Sequence, residues 1–169
     1  MRRRIIREKV VQALYAHEIS GDPLEHVNAC VLIGLAGNKP AYEFAKHLVE
    51  ATVAHSAEID KIIRTRVANW DFKRIAILDR LILRMGICEL LYFREIPPKV
   101  TMNEAIELAK LFSTERSGQF VNGVLDAVLA DIKNLGPESL VEGALTKAGR
   151  GLYEGDPDAR SSKPRTKPQ

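Results

Sequence analysis

Arg74-Ile75-Ala76-Ile77-Leu78-Asp79-Arg80-Leu81-Ile82-Leu83-Arg84-Met85-Gly86-Ile87-Cys88-Glu89-Leu90-Leu91-Tyr92-Phe93 is the stretch that decides the fold. Wound at helical spacing, Ile75, Ile77, Leu78, Leu81, Ile82, Leu83, Met85, Ile87, Leu90 and Leu91 cover most of the circumference. A helix apolar nearly all round is buried, so this one is central. Lys73, Arg80 and Arg84 keep one narrow strip polar. Because an unpaired buried charge is costly, Asp79 with Arg80 and Arg84 with Glu89 are candidate structural ion pairs. The alternative for Glu89 is that it faces a protein partner. Pro97-Pro98 ends the element, since proline cannot continue a helix and holds its predecessor extended.

The same spacing recurs outward from this segment, and no run alternates apolar and polar residues between turn signals, so the chain reads as all-α. Ile6, Val10, Ala13, Leu14 and His17 form one face of a first helix that stops near Ser20-Gly21. Asp22-Pro23 supplies a cap and a first-turn proline for a short helix through Leu35. From Pro40, the series Phe44, Leu48, His55, Ile59, Ile62 and Ile63 is one long helix or two consecutive ones ending near Asn69, with a junction at Trp70-Asp71. Thr101-Met102-Asn103-Glu104 has the form of a capping box. The helix it opens buries Ala105, Leu108, Ala109 and Phe112. Ser113 to Ser117 is a polar connection. Val121, Val124, Leu125, Val128 and Ile132 stripe the last helix up to Gly136-Pro137.

These segments make one helical domain over residues 1–137, in two subdomains of about 1–70 and 71–137. Residues 138–169 form an extension whose composition predicts disorder from about residue 150. A chain of 169 residues buries on the order of 70% of its unfolded surface and needs no disulfide or metal to close a core. Cys30 and Cys88 stand in apolar surroundings without zinc spacing, which suits reduced, buried thiols and a cytoplasmic location. The longest uncharged run, residues 27–38, is too short for a membrane span of roughly 20 residues. The Arg-rich start lacks the hydrophobic segment of a signal peptide.

The net charge of +3 is unevenly distributed. Residues 1–9 carry +4 and residues 150–169 carry +2, which leaves a mildly acidic body at −3. A basic head on such a body points to a polyanion met by one localised surface. On the first helix, Arg4, Glu8, Gln12 and Tyr15 fall opposite the apolar stripe, with Arg7 beside them. Guanidinium groups for phosphates, an amide for a base edge and a phenol for stacking together suit single-stranded RNA. Cations at a helix N-terminus oppose the macrodipole, which itself favours an external anion. In Phe120-Val121-Asn122-Gly123, Phe120 and Asn122 leave the stripe. Gly123 suggests another backbone or a ligand coming close, with helix-helix packing the favoured reading. His17, His26, His47 and His55 make no metal-site spacing, no phosphate loop is present, and the site chemistry is not that of an enzyme; no cofactor is expected.

Arg2-Arg3-Arg4, Arg7-Glu8 and Val11-Gln12-Ala13-Leu14-Tyr15 are followed by Arg80-Leu81-Ile82-Leu83-Arg84, Glu89-Leu90, Ile96-Pro97 and Lys99-Val100. Then come Asn103-Glu104-Ala105-Ile106-Glu107-Leu108-Ala109-Lys110 and Phe120-Val121-Asn122-Gly123-Val124-Leu125-Asp126. In order and spacing over roughly residues 2–133 this set resembles the bacterial transcription antitermination factor NusB. The resemblance implies two packed three-helix bundles around the central helix and a role without catalysis. It implies binding of boxA RNA together with NusE, a small-subunit ribosomal protein, in an RNA polymerase antitermination complex acting on ribosomal RNA operons. Carried over by position, Arg2, Arg3, Arg4, Arg7, Gln12, Tyr15, Arg116, Phe120 and Asn122 would form the RNA surface. Arg84, Glu89 and Tyr92 would face NusE.

The chain departs from its relatives at Ile5-Ile6, where they carry one alanine, and at Arg116, where some carry an acid. The cation at Arg116 implies tighter RNA contact. A free homodimer that covers the RNA face is compatible with the resemblance. If about four cations neutralise phosphates, log affinity for single-stranded RNA falls with log salt at a slope near −3. Two other readings compete. One is an adaptor that binds only proteins; the other is part of an RNA methyltransferase, for which this chain has no nucleotide-binding segment.

Overall fold

The computed structural model describes residues 3–67 and 71–143. Arg2, Trp70 and the tail expected from residue 150 lie outside them. Within the described residues the elements are α1 (Arg3–Ser20), α2 (Leu24–Val31) running into a 3-10 turn at Leu32–Leu35, α3 (Lys39–Ala54) and α4 (Ser56–Arg66). After a 3-10 turn at Phe72–Arg74 come α5 (Ile77–Tyr92), α6 (Pro98–Phe112) and α7 (Glu115–Leu135). Residues 137–143 are helical too, and no strand occurs among the described residues.

Local chemistry sets the boundaries. Gly21 takes φ 70° and ends α1, a left-handed conformation that costs glycine little. Ser20 Oγ accepts the Asp22 amide at 3.0 Å, and no side chain caps α2. The long helical stretch breaks at His55, between α3 and α4, where ψ opens to 9°. Asn38 starts α3 by accepting the Ala41 amide at 3.1 Å.

Several boundaries differ from the sequence expectation. Pro23, not Asp22, stands at the N-cap of α2, and the central helix begins at Ile77, Arg74 closing the 3-10 turn before it. Thr101 does not cap α6: Pro98 occupies the first turn three residues earlier, leaving Thr101 inside the helix and buried. Thr114, by accepting the Ser117 amide at 3.2 Å, starts α7 inside the expected connection. That leaves only Ser113 and Thr114 between α6 and α7 and fixes Arg116 on the first turn of a helix.

α1, α2 and α3 pack as one bundle, and α5, α6 and α7 as a second. α5 joins them by packing on α1 and α3 as well, and α4 lies along α5 and α7. Leu81, Ile82, Leu83, Met85, Ile87, Cys88 and Leu91 of α5 are all buried, the central helix that the apolar circumference predicts. Desolvation in this core pushes the Cys88 thiol up to about 12. Cys30, by contrast, is exposed, because α2 turns that residue outward; the expectation that both thiols are buried is corrected. No described helix is long and apolar enough to cross a membrane.

Two glycines separate packing from open surface. A Cβ on Gly86 would stand 3.2 Å from both terminal methyls of Leu125, which is itself fully buried. Gly123 has nothing within 4 Å of a built Cβ, so it admits no helix at its side and the expected close packing there is corrected. Gly86→Ala should therefore lower stability in urea melts by about 1 kcal/mol, overpacking exceeding the gain in helix propensity. Gly123→Ala should raise it by about as much.

Candidate nucleic-acid interface

α1 carries its recognition groups on one outward face. Arg3, Arg4, Gln12 and Tyr15 are exposed, and Ile6, Val10, Ala13 and Leu14 turn inward. The helix runs unbroken through Ile5-Ile6, with Ile6 against the core and Ile5 outside. Its first turn holds no acid, so Arg3 and Arg4 meet the positive end of the macrodipole uncompensated within the helix. Arg4 Nε donates to Glu104 Oε2 of α6 at 3.2 Å, and Lys9 Nζ to Gln12 Oε1 at 3.2 Å. The Arg4 side chain is 46% exposed, and a pair this open is worth at most about 1 kcal/mol. Arg3, Arg4, Ile5, Glu8 and Glu104 border a cleft of about 540 Å³.

Arg7 is not part of that face. It is 2% exposed, and its guanidinium grips Glu89 through two nitrogens, Nε to Oε2 at 2.9 Å and Nη2 to Oε1. Thr101 Oγ1 donates to the same Oε1 at 2.7 Å, Arg7 Nη1 reaches the Arg3 carbonyl at 3.3 Å, and the guanidinium lies 5.4 Å from the Phe44 ring centre. Glu89 is 1% exposed, so the expectation that it meets a partner is corrected together with the exposure of Arg7. One residue of turn on α1 decides this: Arg7 sits at the edge of the apolar stripe and points toward α5, not solvent.

Arg84 does not pair with Glu89 either. It binds Asp60 of α4 with both forks, at 2.6 and 2.7 Å, and lies 3.5 Å from Glu18 at the end of α1. Burial alone would lower its guanidinium, but the hydrogen bonds and charges of Asp60 and Glu18 raise it above the ordinary value. Arg80 also turns to Glu18, at 3.6 Å, instead of to Asp79. Tyr92 stays partly exposed; its hydroxyl donates to Glu58 at 2.9 Å and its ring stacks on His55 at 4.0 Å.

The second cluster lies at the start of α7. Arg116 and Asn122 are exposed and Phe120 is half-buried. Arg116 and Phe120 border a cleft of about 270 Å³ with Arg74, Ile75 and Asp79. Asp79 is 7% exposed; its Oδ2 accepts from Ser117 at 2.9 Å. Burial pushes its carboxyl above the usual range, partly offset by that hydrogen bond. Sequence reasoning missed Arg74 here, although it is basic and closes the 3-10 turn just before the central helix.

The two clusters flank α6 rather than merge. Glu104 of α6 holds Arg4, and Lys110 packs beneath Gly118 of α7, where a Cβ would stand 2.9 Å from its Cγ. Six residues along a helix separate Glu104 from Lys110, a rise of about 9 Å. Among the described residues, no group of three His, Cys, Asp or Glu side chains could hold a metal ion.

Fold and site together define an all-α protein of two joined bundles that turns arginine, amide and aromatic side chains outward on both sides of one helix. The chain belongs to the NusB family: that family's model matches residues 4–130. The transcription antitermination protein NusB of Salinibacter ruber is 46% identical over 151 residues, 89% of this chain and 90% of its own. Among solved structures, NusB of T. maritima superposes with a TM-score of 0.72 at 36% identity, covering 78% of this chain and 92% of that one. A crystal structure of the antitermination factors NusB and NusE in complex with dsRNA superposes at 0.65 with 30% identity, covering 76% and 96%.

Removing one member of a buried ion pair strands the other, at a cost of roughly 3–5 kcal/mol. Arg7→Ala should therefore lose that much stability in urea melts, whereas Arg3→Ala should change it by less than about 0.5 kcal/mol.

Proposed function

We propose that this protein is a non-catalytic antitermination subunit that acts in the cytoplasm, binding single-stranded boxA-type RNA with a NusE-type partner. The observation that carries the reading is the outward face of α1, where Arg3, Arg4, Gln12 and Tyr15 stand exposed while the apolar stripe is consumed by the core. Arg3 and Arg4 serve the phosphates, Gln12 a base edge and Tyr15 a stacked base; Arg116, Phe120 and Asn122 extend the track across α6. Membership of the NusB family supports the antitermination role, and the solved NusB and NusE complex supports the partner. Tyr92 and Arg84 mark the side of α5 where that partner docks. The extension after residue 137 lies beyond the family match, and its basic end adds nonspecific affinity.

The test is binding of the full chain, with and without NusE, to a boxA oligonucleotide, a scrambled strand and a duplex of the same sequence. With Arg7 buried, three phosphate contacts from Arg3, Arg4 and Arg116 give a salt slope near −2 on single strands, rather than −3. Arg3→Ala should flatten that slope by about 0.7, and Tyr15→Ala should weaken binding without altering it. A slope near zero, or equal affinity for the scrambled strand in the presence of NusE, would overturn the reading.

A further inference from the structure

Past α7 the chain turns once more. Gly136 takes φ 79°, Pro137 follows, and residues 137–143 form a short helix laid against the second half of α4 and the end of α5. Leu140 and Val141 rest half-buried on the core, and Glu138 pairs with Arg94. The two side chains of that pair stand mostly in water, 72% and 65% exposed, so it adds little. The helix does not fill its seat. A cleft of about 240 Å³ remains on its α4 flank, beside Ile62, Thr65 and Arg66, and one of about 360 Å³ on its α5 flank, beside Leu91, Tyr92 and Arg94. Over its seven described residues the helix is too short to hold its shape in water, where even about 12–15 residues are marginal, so docking maintains it. The surface beneath does not depend on it: Tyr92 is fixed by Glu58 and His55, and Arg66 by Asp131. The family's model ends at residue 130, so the covered strip belongs to the shared domain and the cover does not.

We propose that residues 137–143 are a built-in competitor for the docking surface of the NusE-type partner, which must lift them to bind. The inference rests on the reading that this partner docks on the Tyr92 side of α5, and adds a mode of regulation to it. The segment shows what its seat accepts: a carboxylate for Arg94 and, two and three residues on, a pair of branched apolar side chains for the strip between α4 and α5. A partner segment of the same chemistry, apolar with an acid at its edge, replaces those contacts and also fills the two clefts beside the short helix. Greater apolar burial in a better-filled seat favours the partner. Because only the lifted form is competent, the apparent partner affinity is the intrinsic one reduced by the lifted fraction. No side chain of the outward face of α1 borders either cleft, so RNA contact by Arg3, Arg4, Gln12 and Tyr15 is independent of the cover.

The experiment measures NusE affinity for the full-length chain and two full-length variants, and follows amide hydrogen exchange at residues 140–143 with and without NusE. Leu140→Glu combined with Val141→Glu undocks the helix and should tighten NusE binding roughly fivefold, as expected for a cover seated about four-fifths of the time. Gly143→Ala acts in the opposite direction: a Cβ there meets nothing within 4 Å and favours the helix, so NusE binding should weaken about twofold. In the unaltered chain, NusE should speed exchange at residues 140–143 to the rate of the undocked variant. Affinity for boxA RNA without NusE should be the same in all three chains. Equal NusE affinity in all three, a parallel change in boxA affinity, or amides that become more protected when NusE binds overturns the competition while leaving the partner assigned. If no chain binds NusE, the partner reading falls and this inference with it.

Discussion

The fold depends on the charge pair between Arg7 and Glu89. Both groups are removed from water, and each is satisfied: the carboxylate by two guanidinium nitrogens and the Thr101 hydroxyl, the guanidinium by that carboxylate, a carbonyl of its own helix and the face of Phe44. Those contacts come from α1, α3, α5 and α6, so a single interaction registers the first bundle against the second. Such pairs are weak evidence for stability, because desolvation offsets most of the attraction. What they impose is geometry, since any slip leaves a bare charge inside. Slip α1 by one residue and Arg7 loses Glu89, while Arg3 and Arg4 lose their outward direction. The recognition face is thus held in place by an interaction it does not contain.

A second polar cluster does the same for the opposite side of α5. Arg84 clamps Asp60, and Glu18 gathers both Arg84 and Arg80. The last turn of α1 is thereby fixed to α4 and α5, just as its first turns are fixed by Glu89. Tyr15 sits between these two anchors on a helix that has no freedom to roll. In the proposed binding mode, a base stacking on it would require no ordering of the backbone at the moment of binding.

The apolar pattern made the architecture legible: the circumference of α5, the stripe of α1 and the spacing through α7 each describe the helix that forms. Side-chain direction at the edge of a stripe was not legible. Arg7 points about 60° round the helix from Arg4, and a periodic pattern does not say whether a long side chain there reaches in or out. Nor could Glu89 and Thr101, both polar on helices, announce that they would meet a cation 82 residues away in the case of Glu89. The resemblance assigned Arg7 to the RNA surface together with the rest of α1, because motif position carries no burial. Thr101-Met102-Asn103-Glu104 shows the same limit: a capping sequence is silent when a proline has already begun the helix, and its two polar members are then free to bind Glu89 and Arg4.

Arg116 is exposed on the first turn of α7, and no side chain among the described residues engages its guanidinium. Its charge can therefore be erased or inverted by a single substitution without disturbing anything beneath it. That makes the position adjustable: its charge can change at no cost to the packing, whereas a change at Arg7 strands Glu89 inside both bundles.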